Sequence, residues 1–290
     1  DGASMKIYLD RDDLYQTELY EHKLAVILGR GKRLKRVLKE FPTENSFKES
    51  SVQEIAEVIG IKKQGSKILE QLKTLDKTYE KLTNPQFSKE LSSNPQAQSI
   101  MCIDTEYLQS DLDSIQYAFK SEQEWETGII FTNSDLAPAV SIKEGIRYLE
   151  ELIADYNPDL FIGHDFKCDI RVLEDNYQQE LPMLYNYDDT LDMVKKSNFE
   201  NIIRGASLDD IISNIFCDDT IGLFNAYRDL DLFVEYGLKD AIYPIYAREY
   251  FITGKMPLVK NELKIDKIIK EEAQAQINFN SISLKEDLND

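Results

Sequence analysis

Four acidic residues in three separated places have the types and spacing expected of a metal-binding site. They are Asp104, Glu106, Asp169 and Asp240. The first two are one residue apart directly after the apolar run 100–103, which is typical of a buried strand, so both side chains face the same side. The third follows the strand-like run 159–163 through a short loop, at the start of a helix. The fourth lies in a long helical segment four residues after Tyr236, which places both residues on one helix face.

Carboxylates gathered in one pocket repel each other and raise each other's pKa unless cations neutralise them. Oxygen ligands of this kind favour hard divalent ions, Mg²⁺ or Mn²⁺. Two such ions about 3.5–4 Å apart can activate a water and stabilise the leaving oxygen of a phosphodiester. Each motif is common by itself, but their shared order, spacing and context predict a two-metal hydrolase.

The three motifs resemble those of the DEDD 3′–5′ exonucleases over about residues 99–253. The motifs are Asp104-Thr105-Glu106, Gly163-His164-Asp165 through Asp169, and Tyr236 through Asp240. Tyrosine in the third motif is typical of the DEDDy branch, and residues 236–241 are similar to the proofreading domains of family-B DNA polymerases. The resemblance implies an RNase H-like fold and stepwise release of nucleoside 5′-monophosphates from a 3′ end.

The resemblance also implies a role for each site residue. Asp104 would bridge both metal ions, Glu106 and Asp240 would complete the ion on the nucleophile side, and Asp169 would act through a water or from the outer shell. Tyr236 would orient the attacking water. Because a phenol has an ordinary pKa near 10, orientation suits it better than general-base catalysis.

The second motif departs from the family at one position, since Asp165 stands where the family usually has Asn. An extra carboxylate there could alter metal affinity or interfere with a phosphate. We favour a packing or hydrogen-bonding role for His164, which is not in the histidine position of the DEDDh branch. Cys168 is expected to be a small buried residue.

Residues 14–82 predict a helical module in which two helix–turn–helix units each contain glycine. A glycine turn that opens a helix can present backbone N–H groups to phosphate without regard to base sequence. The module resembles the tandem helix-hairpin-helix domain at the C-terminal end of the UvrC excision-repair nuclease subunit, over about residues 22–74. The candidate nucleic-acid contacts are Gly29, Arg30, Gly31, Lys32, Arg33, Gly60, Lys62, Lys63 and Lys67. The alternative is a packing or dimerisation module with a solvated basic face.

The remaining elements predict an α/β fold, an RNase H-like mixed sheet flanked by helices, beside the small all-α N-terminal module. The polar segment 83–98 contains two Asn-Pro steps and indicates a linker. The exonuclease domain is expected over 99–256, and a charged, helix-like tail over 257–290, with its helix from Lys264 to Gln274 and no assigned role.

Charge and composition limit the possible partners and cellular location of the protein. The formal net charge is −19, but residues 1–98 hold 17 Lys and Arg against 15 Asp and Glu, whereas the remainder holds 17 against 38. A polyanion would therefore need local basic patches and metal ions to approach the acidic part. Three scattered cysteines, the charged residues near the N-terminus and the lack of a long apolar run predict a cytoplasmic protein without a membrane partner.

Three functions remain open from the sequence. The leading hypothesis is a 3′–5′ exonuclease acting on single-stranded or frayed DNA ends, with a polymerase or repair protein as a partner. The second is an RNase D-like exoribonuclease with the same chemistry on RNA. The third is a nucleic-acid-binding scaffold whose exonuclease site is weak or silent, a hypothesis motivated by Asp165 and the acidic surface.

Overall fold

The structure is a computed structural model that describes residues 16–62 and 66–259, together with the backbone of 267–269 and 277–278. The described residues fall into two compact units, with the boundary between Asn84 and Pro85. Among them, no helix has the length and apolar character needed to cross a membrane.

The first unit is built from short helices around its own apolar core. They are α1 (16–28), α2 (Lys32–Glu40), α3 (Glu44–Glu49), α4 (Val52–Ile59), α5 (Lys67–Lys73) and α6 (Leu75–Leu82). Side-chain capping fixes where two of them begin: Thr43 accepts the Ser46 N–H at α3, and Ser51 accepts the Glu54 N–H at α4. The helices bury a shared core that includes Leu24, Val37, Phe47, Ile59 and Leu72.

The second unit is a mixed sheet flanked by helices, which confirms the predicted α/β class. Its main strands are β1 (Ile100–Leu108), β2 (Asp111–Lys120), β3 (Trp125–Phe131), β4 (Leu160–Gly163) and β5 (Tyr187–Asp189). They lie in the order β5-β4-β1-β2-β3, with β2 antiparallel to both neighbours and β4 parallel to β1 and β5. The short β6 (Lys267–Ile269) and β7 (Ile277–Asn278) extend the sheet beyond β3.

Helices cover both faces of this sheet. They are α7 (Ile142–Tyr156), α8 (Phe166–Tyr177), α9 (Thr190–Lys196), α10 (Phe199–Ile202), α11 (Leu208–Asn214), α12 (Leu223–Ala226) and α13 (Leu230–Thr253). Side chains alternate along β1, so Cys102 packs in the core that contains Phe233 and Ile242 of α13, while Met101 packs in the core with α7 and α8. Burial on both faces explains why the run 100–103 is apolar throughout.

The first acidic motif lies inside β1, although it was predicted to follow the strand. Parallel pairing with β4 stops at Cys102, whereas antiparallel pairing with β2 continues to Leu108. Asp104 and Glu106 therefore lie on the part of β1 that extends past its parallel neighbour. The predicted start of the helix near Asp169 is also too late, since α8 begins at Phe166.

Most of the segment predicted as a linker, residues 83–98, belongs to the second unit. The backbone N–H of Gln86 donates to the Ser197 carbonyl at 2.9 Å, and the Ser92 hydroxyl donates to Asp188 at 2.6 Å. Asp188 also pairs with Arg248 of α13 at 2.8 Å, and both residues are buried. A buried ion pair needs its remaining hydrogen-bonding positions filled, and this segment fills them.

The helix predicted from Lys264 to Gln274 is wrong at its centre, where residues 267–269 form β6. This strand pairs in parallel with β3, with Ile268 opposite Ile129. An edge strand offers unpaired backbone groups, and pairing with them outweighs a weak helix propensity. The rest of the predicted helix lies outside the described residues.

Candidate metal centre

Three of the four predicted acids converge on one point. Carboxylate oxygens of Asp104, Glu106 and Asp240 all lie within 4.8 Å of one another, and each residue is half-buried. Two come from alternate positions of β1 and the third from α13, which packs over the sheet. Oxygen donors at this spacing could hold a hard divalent cation between them.

Gly237 allows α13 to approach the sheet this closely. A Cβ atom at this position would lie 2.6 Å from Cγ of Gln116 on β2, a distance that real contacts essentially never reach. The same Gln116 donates its amide to Asp104 Oδ2 at 3.4 Å. The glycine of the third motif is thus a packing requirement that brings Asp240 towards β1.

Asp169 lies beside the three-carboxylate group. Thr105, between the two acids of β1, donates both its backbone N–H at 3.0 Å and its hydroxyl at 2.6 Å to Asp169 Oδ1. Asp169 is buried, and these bonds fix its carboxylate against the strand. No role was predicted for Thr105 from the sequence, although a hydroxyl residue between two candidate ligands was a usable signal.

Tyr236 is hydrogen bonded to the carboxylate group, as its position one turn before Asp240 allows. Its hydroxyl donates to Glu106 Oε1 at 2.6 Å. Burial raises the pKa of the Tyr236 phenol far above its ordinary value, and the charges of Asp240 and Glu106 raise it further. The phenol therefore stays protonated and acts as a hydrogen-bond donor.

Burial is the main cause that raises the pKa of all four acids, and the charges of neighbouring carboxylates raise it further. Burial is the largest cause for Asp104, followed by the charges of Asp169 and Asp240. Burial likewise raises the pKa of Glu106 and Asp240, and it raises the pKa of Asp169 to about 7 despite the bonds from Thr105. Cations bound here would relieve the repulsion and favour the ionised carboxylates.

A fifth buried carboxylate, Asp113, adjoins the site through a β-bulge. The pairing of β1 with β2 shifts between Glu106 and Tyr107, which leaves Asp113 as the extra residue. Its carboxylate accepts the Tyr227 hydroxyl at 2.6 Å, and burial is the main cause that raises its pKa. Asp113 was not among the residues predicted from the sequence, because a bulge depends on strand pairing.

Asp189 shapes the loop that leads into α8. The backbone N–H groups of Asp165 and Phe166 donate to its two carboxylate oxygens, each at 2.9 Å. Asp165 has a φ of +57°, in the left-handed region that Asn and Asp tolerate best among residues with a side chain. Its exposed carboxylate accepts the thiol of Cys168 at 3.1 Å.

The other residues of the second motif lie outside the carboxylate group. Nδ1 of His164 is 2.9 Å from the Thr190 hydroxyl, which agrees with the hydrogen-bonding role favoured from sequence. Burial lowers the pKa of His164 below its ordinary value. Cys168 is half-exposed, in contrast to the expected buried position, since it lies in the first turn of α8 next to the exposed Asp165.

The candidate nucleic-acid contacts lie in the helical unit. Gly29 and Gly60 have φ values of +71° and +73° after α1 and α4, a conformation that favours glycine. The basic side chains that the structure describes, Arg30, Lys32, Arg33, Lys62 and Lys67, are all exposed. Helix α2 begins at Gly31 with no side-chain cap and no acid in its first turn. Lys63 lies outside the described residues.

Comparison of the chain with models of known protein families finds no match, and comparison with curated proteins finds no similar sequence. The function is therefore inferred from the geometry of the chain's own residues. That geometry is a set of crowded carboxylates with a neutral tyrosine donor, which is suited to hold divalent cations and orient a water.

Proposed function

We propose that the chain is a metal-dependent 3′–5′ exonuclease of the DEDDy type. The observation that carries the proposal is the convergence of Asp104, Glu106 and Asp240 within 4.8 Å, with the Tyr236 hydroxyl on Glu106. The mixed sheet with helices on both faces supports an RNase H-like assignment.

The donor set fits Mg²⁺ or Mn²⁺, because it consists of carboxylate oxygens without a thiolate or imidazole. Asp104, Glu106 and Asp240 would hold the ions, with Asp169 beside them. Divalent cations held there would activate the attacking water and neutralise charge on the phosphate. Burial, and after it the charges of neighbouring acids, raises the pKa of Asp104 and Asp240, and cations held there would favour the ionised carboxylates.

The chain's own residues have distinct tasks in this proposal. Tyr236 keeps its proton and donates a hydrogen bond to Glu106, and its oxygen can accept a hydrogen bond from the water that attacks the phosphate. Gln116 and Thr105 hold the carboxylates of Asp104 and Asp169 in place. Precise placement of this kind converts a bimolecular attack into an effectively intramolecular one.

The proposed substrate is a single-stranded or frayed 3′ end of DNA. The half-buried carboxylates must reach the scissile phosphate, which a paired strand presents poorly. The helical unit supports a nucleic-acid partner, because the exposed Arg30, Lys32 and Arg33 surround the uncapped start of α2. Backbone N–H groups and cations at such a turn bind phosphate in any base sequence, as in a helix-hairpin-helix.

The test is cleavage of 5′-labelled single-stranded DNA and RNA of the same sequence in Mg²⁺, Mn²⁺ or EDTA. We expect a ladder of products shortened from the 3′ end, dependent on metal and faster on DNA. Asp104→Asn should abolish the ladder and retain DNA binding, while the exposed-acid control Glu151→Gln should cleave normally.

Each other outcome changes the proposal in a defined way. Clear preference for RNA would favour an exoribonuclease, and cleavage retained by Asp104→Asn would locate the reaction elsewhere. An intact strand in both metals would favour a binding scaffold with a silent site.

A further inference from the structure

The segment 217–229, between α11 and α13, is fastened at its first end by a buried lysine. Lys239 of α13 lies 3.2 Å from Asp218 Oδ2 and donates to the Asp219 carbonyl at 2.7 Å. The hydroxyl of Tyr243 donates to the same Asp218 oxygen at 2.5 Å. Only 8% of the Lys239 side chain is exposed. Its Nζ contacts this segment and also Glu235 Oε1, at 3.3 Å.

The second end of the segment is fastened next to the carboxylate group. Tyr227 donates its hydroxyl to Asp113, the bulge residue beside Glu106, at 2.6 Å. The ring of Tyr227 also packs at 5.2 Å from that of Phe233, which in turn lies 6.1 Å from the ring of Tyr236. A continuous set of contacts therefore joins this end to the proposed catalytic tyrosine.

Between the two anchors, the segment exposes apolar side chains. Phe224 is 92% exposed and Leu223 is 43% exposed. Phe224 and Tyr227 are three residues apart in one helical turn, so they lie on the same side of it. On β1, opposite the bulge, Tyr107 and Leu108 directly follow Glu106 and are also exposed.

Single exposed apolar residues are ordinary on protein surfaces, but here one exposed segment is joined to Asp113 through Tyr227 and the other directly follows Glu106. The anchors at Asp218 and Tyr227 hold the backbone on either side of Phe224. Such a surface fits flat apolar groups that arrive together with a phosphate. Unpaired nucleobases are flat and apolar on both faces, and they stack on aromatic side chains in any sequence.

We infer that the segment 217–229 contacts the unpaired bases of the nucleic-acid end through Phe224, and that Lys239 is a positioning residue that holds the segment in place. This inference rests on the proposed function, since it names how the same site selects single-stranded ends. A paired end hides the faces of its bases, so it gains nothing from Phe224.

The first test compares Phe224→Ala with Leu258→Ala, in which an equally exposed apolar residue (95%) is removed. Phe224→Ala should raise the KM for single-stranded oligonucleotides roughly tenfold, within the range measured for base–aromatic stacking, and change kcat less than about twofold. Phe224→Ala should not change the rate at which the enzyme hydrolyses a chromogenic ester of a single nucleotide, because that substrate has no second base to stack. Equal KM values for the two variants would overturn the inference.

The second test examines Lys239. Lys239→Met should raise KM without lowering the rate on the chromogenic substrate, and the double variant with Phe224→Ala should raise KM less than the product of the single effects. That non-additivity separates positioning from general loss of structure. A lowered rate on the chromogenic substrate would mean that Lys239 acts on Asp240 instead, and would refute its positioning role.

A binding measurement separates this inference from the proposed function. Fluorescence anisotropy would compare oligonucleotides with phosphorothioate-protected 3′ ends whose last residues are normal or abasic. The wild type should prefer normal bases severalfold, and Phe224→Ala should lose that preference; no preference in the wild type would refute the base contact. If the wild type cleaves no end, the proposed function fails, and the anisotropy result decides the base contact independently.

Discussion

Replacing Asp169 with Asn should stabilise the metal-free protein, although it removes a residue of the proposed site. The pKa of Asp169 in the folded protein is about 7, raised mainly by burial, whereas an unfolded Asp has a value near 3.9. The folded state therefore holds the proton more tightly than the unfolded state. Stability contributed by this group is lost as pH rises from about 4 to about 7.

The size of the effect follows from that difference. About three pKa units at 1.36 kcal/mol each give a penalty of about 4 kcal/mol at pH 8, which is an upper value for a buried group among interacting acids. Asn keeps an oxygen that can accept both bonds from Thr105 but carries no charge. We expect Asp169→Asn to gain about 2–4 kcal/mol at pH 8 and close to nothing at pH 4.

Urea and thermal unfolding in EDTA between pH 4 and pH 8 would measure this gain, with the exposed Asp155→Asn as a control expected within about 0.5 kcal/mol of the wild type. Added Mg²⁺ should raise the Tm of the wild type more than that of Asp169→Asn, because cations relieve the same repulsion. If Asp169→Asn is destabilised at pH 8, or its gain does not grow with pH, the raised pKa of the buried Asp169 carboxyl is refuted as a source of instability.

Four further predictions follow from the same contacts. Tyr236→Phe should lower kcat about 10- to 100-fold with KM nearly unchanged, and steady-state kinetics showing a change in KM alone would contradict its role at the water. Gly237→Ala should lower the free energy of unfolding by roughly 1–3 kcal/mol and lower activity, because its methyl group would meet Gln116. Wild-type values in both urea unfolding and rate measurements would refute this. Asp165→Asn should change kcat/KM less than about threefold and leave the Tm within a few degrees, since Asn tolerates a φ of +57°; a large gain in activity would show that the carboxylate inhibits the site. Arg33→Ala should weaken DNA binding and reduce the slope of log affinity against log salt by about 1, and an unchanged slope in a binding titration would exclude a phosphate contact.

Local patterns were sufficient for the predictions that the structure agrees with. Alternation along a strand places Asp104 and Glu106 on one side of β1, and the helical repeat places Tyr236 one turn before Asp240. The Ser207 cap of α11 is local in the same way, because its hydroxyl–N–H bond joins residues only three positions apart. These features depend on backbone geometry within a few residues, which the sequence specifies directly.

Features that join distant segments were not predictable in this way. The bulge that exposes Asp113 to Tyr227, the burial of Arg248 on Asp188 and the pairing of β6 with β3 each join positions far apart in the chain. Weak local preferences give way when such contacts bury apolar surface or satisfy backbone groups.

The amino-acid sequence by itself determined which acids belong together, because their order, spacing and local elements are properties of short segments. Only the tertiary structure decided that three of them share one point while Asp169 is held to one side by Thr105. It also decided how strongly they repel, since burial and separation set the pKa of a carboxylate and neither is encoded locally. The close approach of α13 to the sheet at Gly237 sets the separation of these carboxylates.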